Sequence, residues 1–166
     1  GKYAPYSDVQ NGFIQERYEP AAPTLFEYFR KAYRIPESET LIINGEDRVQ
    51  EEFYSFSNHH LFGVHYRSQT LSLFRYKRFL LQRSLADYDG PETGRTALEA
   101  KLAEMDAEDY RNAPERESDG SLDAFWERWR AHYGTTGLVN PRGDRVLTEL
   151  AVRAIRELRA KMILIN

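Results

Sequence analysis

The run Thr40-Leu41-Ile42-Ile43-Asn44 constrains this chain more than any other feature. It is short, rich in β-branched residues, and apolar on consecutive positions rather than alternate ones. A strand with one wet face alternates, whereas a strand covered on both faces does not. A chain containing such a strand needs material above and below it. Gly45 ends the run and Pro36 precedes it. Upstream, Pro23-Thr24 opens a helix in which Leu25, Phe26, Phe29, Ala32 and Tyr33 fall at helical spacing on one face. Helix, short loop and buried strand form half of a parallel α/β unit.

The same unit recurs near the other end. Gly143-Asp144 offers an N-cap, and Leu147, Leu150, Ala151, Ala154, Ile155 and Leu158 follow with helical spacing. Met162-Ile163-Leu164-Ile165 is the second apolar strand, expected to be buried. Between the two units the chain reads as mostly helical. Residues 69–85 and 95–110 are compatible with helix, and Ser121 caps a third helix running through Tyr133 with Leu122, Phe125, Trp126 and Trp129 as its apolar stripe. Asn112–Gly120 and Pro141-Arg142-Gly143 read as loop and turn, and residues 1–22 as an extended or looped arm. Two strands are few for 166 residues. The remainder is expected near Phe53–Phe56 and Leu61–Tyr66, or from chain not included in this sequence. The expected fold is therefore α/β: a partial, mostly parallel sheet flanked by helices. Residues 1–166 form one incomplete domain, with a helical insertion over residues 87–133.

Several function classes drop out on composition. No cysteine is present, which removes disulfides, thiolate metal sites and thiol nucleophiles. The net charge of −3 does not suggest a nucleic-acid binder. No apolar run approaches the ~18 residues of a membrane span, and no signal peptide is visible. The start, Gly1-Lys2-Tyr3-Ala4-Pro5, lacks Met and reads as a trimmed end.

Three groups of residues are candidates for chemistry. His59 and His60, with His65 nearby, offer imidazoles, yet adjacent residues on a strand point to opposite faces and would not share a metal. A polar turn beside an aromatic cluster is the simpler reading. Between Phe53 and Ala86 there is no acid, and Arg67, Arg75, Lys77, Arg78 and Arg83 interleave with Phe62, Tyr66, Phe74, Tyr76 and Phe79. Such a stretch can bind an anion or stack bases. Residues 87–119 carry eleven acids against four bases, so mutual neutralisation within the fold is the competing and simpler account. Finally, Glu46 and Asp47 follow the first strand and Asn166 follows the second. Ligands of parallel sheets bind beyond such carboxyl ends. No Gly-rich phosphate loop and no Gly-x-Ser-x-Gly turn occurs.

Two stretches resemble a known family. Ala22-Pro23-Thr24-Leu25-Phe26-Glu27-Tyr28-Phe29-Arg30-Lys31-Ala32 is similar to a recurrent helix of bacterial alkaline phosphatase-like proteins, in the alkaline phosphatase/sulfatase superfamily. Gly137–Ala151, running into Lys161-Met162-Ile163-Leu164-Ile165-Asn166, is similar to the helix and strand that lead into that family's metal site. Tyr54-Ser55-Phe56-Ser57-Asn58-His59 is a looser match between them. The resemblance covers about Gly12 to Asn166. It implies a hydrolase of phosphate or sulfate esters with two divalent metals, usually zinc, and a Ser or Thr nucleophile, in a periplasmic or secreted setting. It also implies that the nucleophile lies upstream of the first matched helix and that the Asp and His ligands follow Asn166. No catalytic or metal-binding role then falls on a residue of this chain, no cofactor is held by it alone, and its partner is the rest of the domain. An unpaired sheet edge is also expected to promote self-association. The alternative is a small non-catalytic binding or regulatory module that uses the basic–aromatic stretch 62–83. A third reading is a complete enzyme centred on His59, His60 or Glu46.

Overall fold

The computed structural model describes residues 20–44, 55–108, 121–134 and 143–165. Among them are five helices and three strands. Helix α1 is Leu25–Tyr33 and strand β1 is Thr40–Asn44. Strand β2, Gln69–Ser72, leads directly into α2, Leu73–Ala86. Helices α3 (Glu92–Glu108), α4 (Ser121–Tyr133) and α5 (Gly143–Leu158) follow, and β3 is Met162–Ile165. The arm over residues 1–19, the loop Asn112–Gly120 and the turn at Pro141-Arg142 lie outside the described residues.

The sheet is parallel with strand order β2-β1-β3. Leu41 pairs in register with Gln69 and Ile163, and Ile43 with Leu71 and Ile165. All five residues of β1 are buried, as its unbroken apolar run requires. One face of the sheet presents Leu41, Ile43, Leu71 and Ile163. It packs against Tyr76 and Phe79 of α2, Phe125, Trp126 and Trp129 of α4, and Val146, Leu150, Ala151 and Ala154 of α5. Burying each large side chain in this cluster contributes about 1.5–3 kcal/mol against the entropy of ordering it. The other face presents Thr40, Ile42, Asn44, Thr70 and Ser72, none more than 3 % exposed. Among the described residues, α1 and the crossover through residues 55–68 are left to cover it.

The two crossovers thus run on opposite faces. The chain from β1 to β2 travels one way along the sheet beside α1. The chain from β2 to β3 returns past β1 through α2–α5. Connections that travel in opposite directions keep one hand only by lying on opposite faces.

Four expectations are corrected. The third strand is Gln69–Ser72, where helix was read, and not Phe53–Phe56 or Leu61–Tyr66. Of those, Phe53 and Tyr54 lie outside the described residues, Ser55 and Phe56 are non-strand, and Gly63–Tyr66 is a 3-10 turn. The apolar stripe of α1 faces outward in part: Leu25 is 70 % and Tyr33 71 % exposed, while Phe26 and Glu27 are buried. Strand β3 is an edge strand, with Leu164 and Ile165 exposed rather than buried. In α5, Val146 joins the core while Ile155 is half exposed, so the buried face is rotated from the one read on spacing. Residues 87–133, read as a helical insertion, hold α3 and α4. Of the two, α4 joins the core and α3 packs on α2, where Arg78 pairs with Asp106.

Candidate functional site

The carboxyl ends of all three strands lie on one side of the domain, because the sheet is parallel. Asn44 and Ser72 end β1 and β2 in register with each other, and Ile165 ends β3 one residue short of that level beside Ile43. Asn44 and Ser72 are both buried. Ser72 serves the backbone: its Oγ accepts the N–H of Arg75 at 3.3 Å and caps α2. The strand that follows β1 in the chain is β2, which lies on the side of β1 away from β3. Ligands of parallel α/β sheets bind beyond such carboxyl ends. Glu46, Asp47 and Asn166, the candidates read for this end of the sheet, lie outside the described residues.

The basic candidates do not assemble. Arg67 is buried and pairs with Glu37 at 3.5 Å. Arg78 pairs with Asp106 of α3, and Arg83 with Glu127 of α4 at 2.7 Å. The Arg75 guanidinium lies over the Phe74 ring, and Lys77 sits half-buried in the same helix. Phe74, Tyr76 and Phe79 point inward. The acid-free stretch is therefore spent largely on its acidic neighbours and on the core. Burial pushes the Tyr76 phenol up to about 12, with Arg130 opposing and Glu127 assisting. Its hydroxyl donates to the Gly134 carbonyl at 2.6 Å.

His59 and His60 lie in a turn, not on a strand, and their rings stack with centroids 4.6 Å apart. The expectation that they point apart is corrected for that reason. His59 Nδ1 accepts the Leu61 N–H at 3.2 Å, which occupies one of its ring nitrogens. His59 also meets the Phe62 edge, which in turn touches Tyr28 and Tyr66. Lys31 Nζ sits 4.2 Å from the Phe62 centroid and donates to the Leu61 carbonyl. Among the described residues no three His, Cys, Asp or Glu side chains converge as metal ligands. Among those same residues no helix is long and apolar enough to cross a membrane.

The strongest polar focus was not among the candidates. Glu27 is fully buried, and its Oε2 accepts the Thr24 N–H while the Thr24 hydroxyl accepts the Glu27 N–H. Its Oε1 accepts from the Ser57 N–H at 3.1 Å, the Ser57 hydroxyl at 2.7 Å and the Gly63 N–H at 2.7 Å. Gly63 has φ +77, a conformation that disfavours a side chain. The sequence signal was Thr-x-x-Glu, a capping box at Thr24–Glu27. Arg30, one turn on, donates to the carbonyls of Ile35, His65 and Arg67. Burial, then the neighbouring Arg67, lowers its pKa to about 10, with Tyr66 opposing. Together these residues pin the β1–β2 crossover onto α1. They hold backbone in place, and every bond named is internal to the fold.

No family model, no curated protein and no solved structure matches this chain.

Proposed function

We propose that this chain is the scaffold portion of an alkaline phosphatase-like, metal-dependent hydrolase of phosphate or sulfate esters, and that it is inactive by itself. The observation that carries the reading is the placement of β3. It runs parallel to β1 and ends beside Ile43. On this reading the residues that follow Ile165 enter the gap between the carboxyl ends of β1 and β3, beside Asn44, since parallel sheets bind ligands beyond their strand ends. In the family that the sequence resembles, the Asp and His ligands follow directly after this strand. Two divalent metals held there would lower the nucleophile's pKa and neutralise charge on the transferred group. This chain's part is to fix the strand ends and the crossover, through Glu27 and Arg30, so that the gap keeps its shape.

The test is hydrolysis of p-nitrophenyl phosphate and p-nitrophenyl sulfate with added zinc, manganese or magnesium. The expected result is no turnover by the 166-residue chain. Turnover by a longer chain, one that adds residues on both sides, is expected to be abolished by EDTA. A longer chain that carries the following Asp and His yet hydrolyses neither ester overturns the reading. So does metal-dependent turnover by the short chain that is lost in His59→Ala, His60→Ala or Glu46→Ala.

A further inference from the structure

We propose that Asp89-Gly90, in the turn between α2 and α3, is a self-modification site: Asp89 closes on the Gly90 nitrogen to a succinimide and reopens as isoaspartate, and the lengthened main chain unlatches α3 from α2. The turn is built around Tyr88. A Cβ on Gly90 would stand 2.7 Å from Tyr88 Cζ, and one on Gly94 would stand 1.7 Å from Tyr88 Oη. The ring therefore fills the space that two missing side chains leave. The Tyr88 hydroxyl donates to the Pro91 carbonyl at 3.2 Å, and the Tyr88 carbonyl accepts from the Arg95 guanidinium at 3.0 Å. The Pro91 carbonyl also accepts the N–H groups of Gly94 and Arg95, at 2.9 Å and 3.3 Å. These contacts fix the start of α3 against the end of α2, and farther along Arg78 of α2 ties down Asp106.

Within this bonded turn, one pair of groups is unengaged. Among the described residues, the Gly90 N–H and the Asp89 carboxylate make no hydrogen bond or ion pair, and both residues are exposed. Gly90 has no Cβ to shield its nitrogen and the least restricted backbone of any residue type. The nitrogen attacks Asp89 Cγ. A C–N bond forms, and one carboxyl oxygen leaves as water with the carboxyl proton and the amide hydrogen. Water then adds to the five-membered ring. Entry at Cγ returns aspartate. Entry at the main-chain carbonyl carbon breaks the bond from that carbon to nitrogen, so that the chain runs through Cγ. Mass is unchanged, water is the sole co-reactant, and the main chain gains one methylene between Tyr88 and Gly90. The added length moves Gly90 and Pro91 off the ring they hold, and with them the anchor at Arg95.

The experiment is incubation of the folded chain at neutral pH and physiological temperature, then complete digestion with trypsin. Isoaspartate is read by methyl transfer from S-adenosylmethionine, with an isoaspartyl methyltransferase as the reagent. Asp89 falls in the tryptic peptide 84–95, apart from the related pairs Asn11-Gly12, Asn44-Gly45 and Asp119-Gly120. A methyl-accepting form of peptide 84–95 with unchanged mass is expected to accumulate with time. Asp89→Glu, which would need a six-membered ring, is expected to abolish it, and its circular dichroism should match wild type because residue 89 is exposed. Unlatching is read separately, by brief trypsin treatment of the folded protein. The aged chain should be cut after Arg95 faster than the fresh chain, and aged Asp89→Glu should not. A peptide that converts in urea but not in the folded chain shows that the turn protects the pair, and overturns the proposal. No conversion in either state overturns it as well, as does methyl acceptance that persists in Asp89→Glu. Isoaspartate at residue 89 with unchanged cutting after Arg95 overturns the unlatching.

Discussion

The Glu27 carboxylate accepts hydrogen bonds from both the backbone N–H and the hydroxyl of Ser57, thirty residues away in sequence. A fully buried carboxylate is tolerated because four donors surround its two oxygens. Glu27→Gln keeps the shape but faces the Thr24 N–H with an amide that cannot accept. The expected cost is about 1–3 kcal/mol in urea unfolding, with Glu27→Ala worse. A Glu27→Ala midpoint equal to wild type would mean that the crossover is held by something else.

Tyr76 gives the domain an alkaline limit. Its folded pKa is raised from 10.0 to about 12, so the folded state keeps a proton that the unfolded state loses. This contribution is complete below pH 10 and declines as pH rises through 10 toward 12. Urea midpoints measured from pH 9 to pH 11 should fall more steeply for wild type than for Tyr76→Phe. At pH 7 the variant should be about 1 kcal/mol weaker, from loss of the bond to Gly134.

Trp129 is 2 % exposed and stacks on Tyr133 with centroids 4.9 Å apart. Trp129→Ala removes one of the two buried tryptophans of α4 and is expected to cost about 3–5 kcal/mol. Val152→Ala, on an exposed position of α5, should change the unfolding free energy by less than about 0.5 kcal/mol. Equal losses at the two sites would contradict the assignment of the core.

Replacing Arg75, Lys77 and Arg78 together with Ala should leave elution from a heparin column nearly unchanged, because Arg78 is tied to Asp106 and Arg75 lies over Phe74. A large shift to lower salt would revive the basic–aromatic binding module.

Strand β1 was readable to the residue and helix α4 to within one, Ser121 lying inside the helix rather than capping it, since an unbroken apolar run and a tryptophan-rich stripe each admit one structure. Strand β2 was not readable. Gln69-Thr70-Leu71-Ser72 is four residues of mixed polarity that run straight into α2, and its burial comes from pairing with β1, a tertiary effect. Helix α1 misled through its composition. Glu27, a charged residue, takes the inside position because the crossover supplies its donors, and Leu25 and Tyr33 are left outside. Of the candidate site, the strand ends were legible from Asn44 and from the parallel pattern. The coupling of Arg67 to Glu37 and of Arg83 to Glu127 was not, because no local spacing encodes a contact between distant segments.

The pairing of β1 with β3 also sets a timetable. During synthesis at ~5–20 residues per second, the roughly 120 residues between the two strands take on the order of 6–24 s to appear. Throughout that interval Leu41, Ile42 and Ile43 have one bare edge, and the aliphatic face beneath α5 has no lid. A ribosome that stalls before Met162 would hold out a sticky, β-branched strand to every neighbouring nascent chain, so the demand for chaperones should be greatest in the final stretch of translation that delivers β3.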